Sequence, residues 1–319
     1  MALYVNTNVT SLRGQSSLNK ATNALSTTYN RLSTGLRINS AKDDAAGLQI
    51  SDRLTSQING LKQGNRNSND AIALTQTVEG AMDEMTTMLQ RIRTLSVQAA
   101  NGTNTTSDRA SIQAEVSSLS REITRIASRT TFGGKTVLSG FGTEGSLVTN
   151  GTSNQVVFQV GANANDVTKL DMRLADADGK HKVTTDYSLA KLMSAVGVDS
   201  KAMTTTSGVE NAKSDQTYTV WNVATSTAAQ ATLADIDKVI NLIDTKRGDF
   251  GALENRLSST ISNQTNIANN ESDARSRIRD TDYAEEASNL SAQSIVQQAA
   301  SSMLTQANSL PQMALSLLG

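Results

Sequence analysis

The sequence predicts a mainly α protein, a long antiparallel helical bundle or coiled-coil rod formed by both chain ends, with a small β-rich central part. Three observations predict it. Apolar residues recur at three-four spacing along the first part of the chain to Ile126, and again from Leu233 to the end, while the stretch between collects glycines and β-branched runs. Ala287 to Gly319 carry no charged side chain, whereas the first forty-two residues hold Arg13, Lys20, Arg31, Arg37 and Lys42 without one Asp or Glu. Aromatic residues make up only 3% of the chain, which excludes a large aromatic-rich core and leaves aliphatic seams to join the helices.

Each element follows from its own pattern. Val5, Val9 and Leu12, then Leu18, Ala21, Leu25, Tyr29, Leu32 and Leu36, give the N-terminal arm one helical seam. A second helix is expected from about Asp43 to Ala100. Its seam is Leu48, Leu54, Ile58 and Leu61, continued by Ala71, Leu74, Val78, Ala81, Met85, Met88, Ile92, Leu95 and Ala99. At 1.5 Å per residue it would reach on the order of 85 Å. Asn101-Gly102-Thr103-Asn104 breaks it, Ser107 or Asp108 can cap a following helix, and Ile112, Val116, Leu119, Ile123 and Ile126 repeat the seam in a helix that folds back antiparallel.

After Phe132 the pattern changes, with Gly133, Gly134, Gly140, Gly142 and Gly145 close together. Val156 to Val160, Lys169 to Leu174 and Thr217 to Val223 read as strands, Tyr187 to Val196 as a short helix, and Ala202 to Thr217 as loop. Helical spacing returns with Leu233, Ile236, Ile240, Ile243, Phe250, Leu253, Leu257 and Ile261, a third helix for the bundle that reaches about Asn270. In the tail Val296, Ala299, Met303, Leu310, Met313 and Leu317 form a narrow seam broken only by Gln306. The chain goes out and returns, so its termini should meet and pair.

Charge sorts the chain into a body with two arms. The net charge is -1 and the N-terminal arm holds +5, so the body between Asp43 and Glu286 carries -6. Gln297, Gln298, Gln306, Asn308 and Gln312 interrupt every apolar window of the tail long enough to span a bilayer, so no membrane partner is expected. Fifteen of the thirty-three tail residues are Ser, Thr, Asn or Gln. Such side chains enter a crowded helix contact without the several kcal/mol cost of desolvating an unpaired ion. A core helix of a monomer or a disordered polar tail would share that composition, but the pairing of two charge-sorted arms favours ordered assembly.

Several function classes are excluded. No Cys is present, and His181 is the only His, so a thiolate metal site, a disulfide framework and a zinc peptidase with a His-Glu-x-x-His pair all lack their residues. Asp176 and Asp178 beside Gly179 lack the remaining ligands of a calcium loop and read as a turn. No catalytic, cofactor-binding or metal residues are expected. The basic arm is too sparse for nucleic acid. Met1 to Tyr4 lead straight into polar residues without the apolar run of a secretory signal. Asn101-Gly102-Thr103 is a weak sequon match.

The run Leu32-Ser33-Thr34-Gly35-Leu36-Arg37-Ile38-Asn39-Ser40-Ala41-Lys42-Asp43-Asp44-Ala45-Ala46-Gly47 resembles bacterial flagellin, the filament subunit of the flagellum. The likeness continues through Asn69-Asp70-Ala71, Leu89-Gln90-Arg91-Ile92-Arg93 and Ser111-Ile112-Gln113-Ala114-Glu115. It resumes at Ala274-Arg275-Ser276-Arg277-Ile278-Arg279-Asp280-Thr281-Asp282-Tyr283 and Gln306-Ala307-Asn308. The resemblance implies an inner domain of 1–42 with 281–319, a helical rod domain of 43–175 with 230–280, and a short variable outer region of 176–229. It also implies a structural protein, not an enzyme, that polymerises into a helical homopolymer outside the cell for motility. A hook-filament junction protein and a monomeric adhesin or immune ligand are the alternatives.

The same resemblance assigns residues and partners. Leu12, Leu25, Leu32, Met303, Leu310 and Leu317 are the expected polymerisation seam. Gly35, Asn39 and Gly47 belong to the connection between inner domain and rod, with Gly35 and Gly47 as helix breakers and Asn39-Ser40 as a turn. Leu315, Leu317 and Leu318 are expected contacts of an export chaperone, and determinants for cytosolic inflammasome receptors. Arg91, Leu95 and Glu115 match positions that a toll-like receptor reads, although Thr94 stands where many such flagellins have an acid and Leu95 also belongs to the bundle seam. Export unfolded through a type III apparatus, a filament cap, hook-junction proteins and host innate immune receptors complete the implied partners. Ser and Thr between Thr184 and Thr227 are candidates for O-linked sugar.

Overall fold

The computed structural model describes residues 7–139, 146–147, 155–173, 187–198, 202–208 and 216–316, with backbone alone for 205–208, 216–218 and 310–316. In chain order the helices among these residues are α1 (Val9–Thr34), α2 (Ala45–Ala100), α3 (Thr106–Arg129), α4 (Leu189–Val196), α5 (Ser226–Arg279) and α6 (Tyr283–Ser316). Three antiparallel two-stranded sheets join β1 (Thr131–Phe132) to β2 (Lys135–Thr136), β3 (Gln155–Gln159) to β4 (Val167–Asp171), and β5 (Met203–Gly208) to β6 (Gln216–Trp221). The mainly α architecture with paired terminal helices and a small β part is as expected. The chain separates into two compact units, Met1–Asn59 with Asn266–Gly319, and Gly60–Thr265.

Within the second unit, α2, α3 and α5 share one core. Opposite directions of α2 and α3 follow from Arg91 Nη2 lying 2.7 Å from Glu115 Oε1, while Arg109 Nε donates to the Ala99 carbonyl at 3.0 Å. The partnership of α2 with α5 is also antiparallel, through Arg93 with Asp237 at 2.7 Å, Arg247 with Asp83 at 2.9 Å, and Asn65 with Thr265 at 3.1 Å. The buried stripe on α2 is wider than the expected seam. Met82 and Leu89 are fully buried, whereas Ala81 and Met88 are half-buried, because a helix facing two partners must bury more than a single narrow row.

The N-terminus of α3 is capped by Thr105, two residues before the expected Ser107. Thr105 Oγ1 accepts from the Asp108 N–H, and Asp108 returns a carboxylate oxygen to the Thr105 N–H at 2.9 Å, a reciprocal capping box. The Thr105 hydroxyl, which donates to the Asp108 carboxylate at 2.7 Å, and the Thr105 N–H hold that carboxyl below its usual range. At the far end of α3 the chain reverses in the β1–β2 hairpin, whose two-residue turn is Gly133 (φ 57°) and Gly134 (φ 79°). Positive φ at both positions is the condition for a hairpin turn that matches strand twist, and glycine meets it without strain.

The β part packs onto this bundle. The Gln113 side chain of α3 donates to the Trp221 carbonyl at 2.8 Å and accepts from the Val223 N–H at 2.6 Å, satisfying two backbone groups at the end of β6. Tyr187 is fully buried and donates its hydroxyl to the Met172 carbonyl at 3.0 Å, and burial raises its ionisation far above the ordinary value. The short helix is present as α4, ended by Gly197 in the left-handed region. The expected loop from Ala202 to Thr217 is corrected: Met203–Gly208 is a strand paired with β6, Met203 opposite Trp221. The Thr204-Thr205-Thr206 run lacks apolar alternation, and its β-branched residues take strand form because β6 supplies the ladder. Leu174, Val5, Gly140, Gly142, Gly145, His181, Asp176, Asp178 and Gly179 lie outside the described residues, as do parts of the 176–229 stretch.

Candidate assembly surface

The first unit is built on α1 and α6, which pair antiparallel. Gly14 faces Leu304, Thr22 Oγ1 accepts from Gln297 Nε2 at 3.5 Å, and Arg31 lies 3.8 Å from Glu286. The contact face combines small residues with the half-buried Leu25, Leu32 and Leu304. Gly14, Ala21 and Thr28 recur every seven residues on α1, and Ala300 and Ala307 do so on α6; Ala21, Thr28 and Ala307 are buried. Small side chains at these positions let the helices approach closely.

Several other large apolar residues of the two helices are exposed. Leu12 is 58% exposed, Met303 67%, Ile295 66% and Val296 49%, and Val9 and Tyr29 are also exposed. Val296 and Met303 of the tail's apolar row thus lie on the free side of the pair. Of the residues expected at the polymerisation seam, Leu25 and Leu32 are half-buried at the pair, while Leu12 and Met303 face outward. Leu310 and Leu315 fall in the last turns of α6, where only backbone is described, and Leu317 and Leu318 lie outside the described residues. The 7–27 and 287–316 stretches of the pair contain Arg13 and Lys20 and no acid.

At the other end of the pair the chain is clasped. Gly35 ends α1 with φ 71°, its N–H donating to the Arg31 carbonyl at 2.8 Å. The Arg37 N–H donates to the Arg279 carbonyl at 2.7 Å, and the Thr281 N–H donates to the Gly35 carbonyl at 3.0 Å. A Cβ on Gly35 would meet the Tyr283 hydroxyl at 2.9 Å. Asn39 folds its side chain back to the Leu36 carbonyl at 2.9 Å, and Asp43 accepts the Asn39 and Ser40 N–H groups at 3.1 and 2.9 Å. The bonds from the Ser40 and Asn39 N–H groups keep the exposed Asp43 carboxyl below its usual value. Gly47 is not a breaker. It sits in the first turn of α2, where the Asp44 side chain caps its N–H at 2.9 Å and a Cβ would meet Ile38 Cδ1 at 2.7 Å.

Comparison with known proteins identifies these helices. Residues 5–143 match the bacterial flagellin N-terminal helical region, and residues 233–318 match the bacterial flagellin C-terminal helical region. Over the whole of both chains the sequence is 38% identical to flagellin D of Vibrio anguillarum and 36% identical to flagellin B of Vibrio cholerae. The chain belongs to the bacterial flagellin family. As a flagellin it is a structural subunit of the flagellar filament, an extracellular polymer. Among solved structures, a putative flagellar hook-associated protein from Vibrio parahaemolyticus shares the fold, with 16% identity, a TM-score of 0.53, and coverage of 75% of this chain and all of that one.

The remaining sequence-derived residues of this flagellin sit in the second unit. Arg91 and Glu115 form an exposed ion pair across α2 and α3. Leu95 is 2% exposed and belongs to the core, so it offers no surface beside them. A hollow of about 250 Å³ is lined by Lys169, Asp171, Asp249, Phe250, Leu253 and Arg256, but its acids are already engaged, Asp171 by Arg173 and Asp249 by Lys246 at 3.0 Å. Among the described residues no group of three metal-ligating side chains occurs, and no helix is long and apolar enough to cross a membrane.

Sequence reasoning missed Ile295, Leu304, Ala307 and the Arg31–Glu286 pair. The seven-residue repeat of Gly14, Ala21 and Thr28 against Ala300 and Ala307 was the signal for the true contact face.

Proposed function

We propose that subunits of this flagellin join along the outward apolar side of the α1–α6 pair, with Leu12, Ile295, Val296 and Met303 at the centre of the contact and Leu310 and Leu317 continuing it. The observation that carries this reading is the exposure of Leu12, Ile295, Val296 and Met303 on helices that meet through the small residues Gly14, Ala21 and Ala307. An apolar surface of this kind marks an interaction site. The absence of charge from 287 to 319 removes the desolvation cost that an ion would add on burial among copies. Assembly, not catalysis, is the whole of the chemistry proposed.

The 1–42 and 281–319 segments act in this reading as the inner domain, 43–175 with 230–280 as the outer helical part, and 176–229 as the variable outer region. Leu25 and Leu32 support the seam from within the pair, and Gly35, Asn39 and Gly47 hold the turn between the two parts. Leaving the cell unfolded through a type III apparatus fits helices that depend on neighbours for much of their burial. A chaperone covering Leu315, Leu317 and Leu318 would keep that surface from aggregating. The exposed Arg91–Glu115 pair is the proposed contact for a host toll-like receptor, with Leu95 holding α2 beneath it.

Seeded polymerisation tests the reading. Intact protein should extend seeds into long filaments, whereas removal of 287–319, or Met303→Ser with Leu12→Ser, should abolish extension. The double substitution should leave the monomer's helicity unchanged, because both side chains are already in water. Filaments formed by the truncated chain would overturn the assignment.

A further inference from the structure

The α2–α3 turn holds an Asn-Gly pair whose surroundings differ sharply from those of a second such pair inside α2. Asn101 and Gly102 are exposed, and among the described residues the Gly102 N–H donates to no acceptor. The Asn101 side-chain oxygen accepts from the Thr103 N–H at 3.3 Å, closing a ring that contains the Gly102 nitrogen and the Asn101 side-chain carbonyl carbon. Gly102 has no Cβ to obstruct the approach and nothing within 4 Å of where one would stand. At the same turn Arg109 donates from Nε to the Ala99 carbonyl at 3.0 Å and from Nη2 to the Asn101 carbonyl at 3.1 Å.

We propose that Asn101 is a self-modifying site, where the chain slowly converts its own amide to a carboxylate using water as co-reactant. The Gly102 nitrogen gives its proton to hydroxide and attacks Asn101 Cγ. A C–N bond forms, the side-chain nitrogen takes up a proton and leaves as ammonia, and a five-membered imide remains. Water then opens the imide. Attack at Cγ gives aspartate with the backbone unchanged. Attack at the main-chain carbonyl breaks the bond between Asn101 C and Gly102 N and gives an isoaspartyl link, with the former Asn101 main-chain carboxyl set free as a carboxylate. That oxygen is the one already facing Arg109, so the guanidinium receives the new charge in place. Both routes add one negative charge to an exposed turn.

Asn59-Gly60 provides an internal comparison. Both residues lie within α2, where helical geometry engages the Gly60 N–H and holds it away from the side chain. Conversion there requires the helix to open locally first.

The experiment is peptide mapping by mass spectrometry, with enzymatic methylation of isoaspartyl groups, on the full-length protein incubated at mildly alkaline pH. Conversion at Asn101 should exceed that at Asn59 by at least about tenfold, the factor given by each ~1.4 kcal/mol of opening free energy. In denaturant the two sites should converge. Gly102→Ala, for which the turn has room, should lose the Asn101 product with helicity unchanged. Arg109→Gln should lower the isoaspartyl share relative to aspartate. Equal rates at the two sites in the folded chain, or an undiminished product in Gly102→Ala, would overturn the proposal; an unchanged share in Arg109→Gln would overturn the role of Arg109.

Discussion

The Asn8 side chain donates to the Ala307 carbonyl over 2.7 Å, although 299 positions separate the two residues in the chain. Ala307 is four residues before Pro311, the only proline, which lies inside α6 and has no N–H to offer that carbonyl. Asn8 thus replaces the missing helix bond of α6. Its side-chain oxygen meanwhile accepts from the Ser11 N–H at 3.0 Å and caps α1.

This double role sets the first prediction. Asn8→Ala should destabilise the helix pair by roughly 2 kcal/mol, combining a lost cap with an unpaired carbonyl. Pro311→Ala restores a donor to that carbonyl. In a double-mutant cycle followed by circular dichroism melting, the Asn8→Ala penalty should be smaller in the Pro311→Ala background. Strict additivity would show that the carbonyl does not couple the two residues.

Two glycines of α2 should respond oppositely to alanine. At Gly80 a Cβ meets nothing within 4 Å, so Gly80→Ala should stabilise by about 1 kcal/mol through helix propensity alone. At Gly64 it would stand 1.8 Å from the Val160 carbonyl oxygen, where the backbone after β3 crosses the helix and Gln264 donates to the same oxygen at 2.7 Å. Gly64→Ala should cost about 1–3 kcal/mol or more by forcing that backbone away. Chemical denaturation of both variants measures the contrast.

Glu254 should make the protein more stable in acid than its other carboxylates do. Burial, then the charge of Glu79, raises its ionisation above the ordinary value, and its Oε1 is buried without a hydrogen-bond partner. The folded chain therefore binds this proton more tightly than the unfolded chain, and the site loses stability as pH rises through the unfolded value of about 4.3 and on to the raised folded value. Glu254→Gln should stabilise at neutral pH and confer nothing below that window. Denaturation midpoints at pH 7 and pH 3.5 test this.

Asp171 works in the opposite sense. Burial alone would raise its value, but bonds from Arg173 and Gln155 outweigh it and hold the carboxyl at about 2. Its contribution is present above the unfolded value of about 3.9 and is lost as pH falls from there towards about 2. Asp171→Asn should flatten the pH dependence within that interval, read from the fluorescence of Trp221, the single tryptophan.

The long helices were legible because apolar side chains at three-four spacing have no other way to leave water together. The same reasoning did not show which stripe of α6 meets α1. Val296 and Met303 are more hydrophobic than Ala307, yet Ala307 is buried while they are exposed, since close approach depends on small size and a transfer scale rewards large residues. The Met203–Gly208 strand was equally hidden, because its partner β6 is what makes it a strand.

The sequence alone determined the mainly α class, the charge-sorted arms, the flagellin-like motifs and the lack of residues for thiol or histidine chemistry, all properties of composition and local period. Tertiary structure decided which stripe of each arm faces its partner, that Leu95 is core while Arg91 and Glu115 are surface, and that Asn8 completes the helix bond missing before Pro311. The contacts of the arms depend on residues as much as 299 positions apart approaching within hydrogen-bond range, and the register that brings them together is set by the fit of both helices at once.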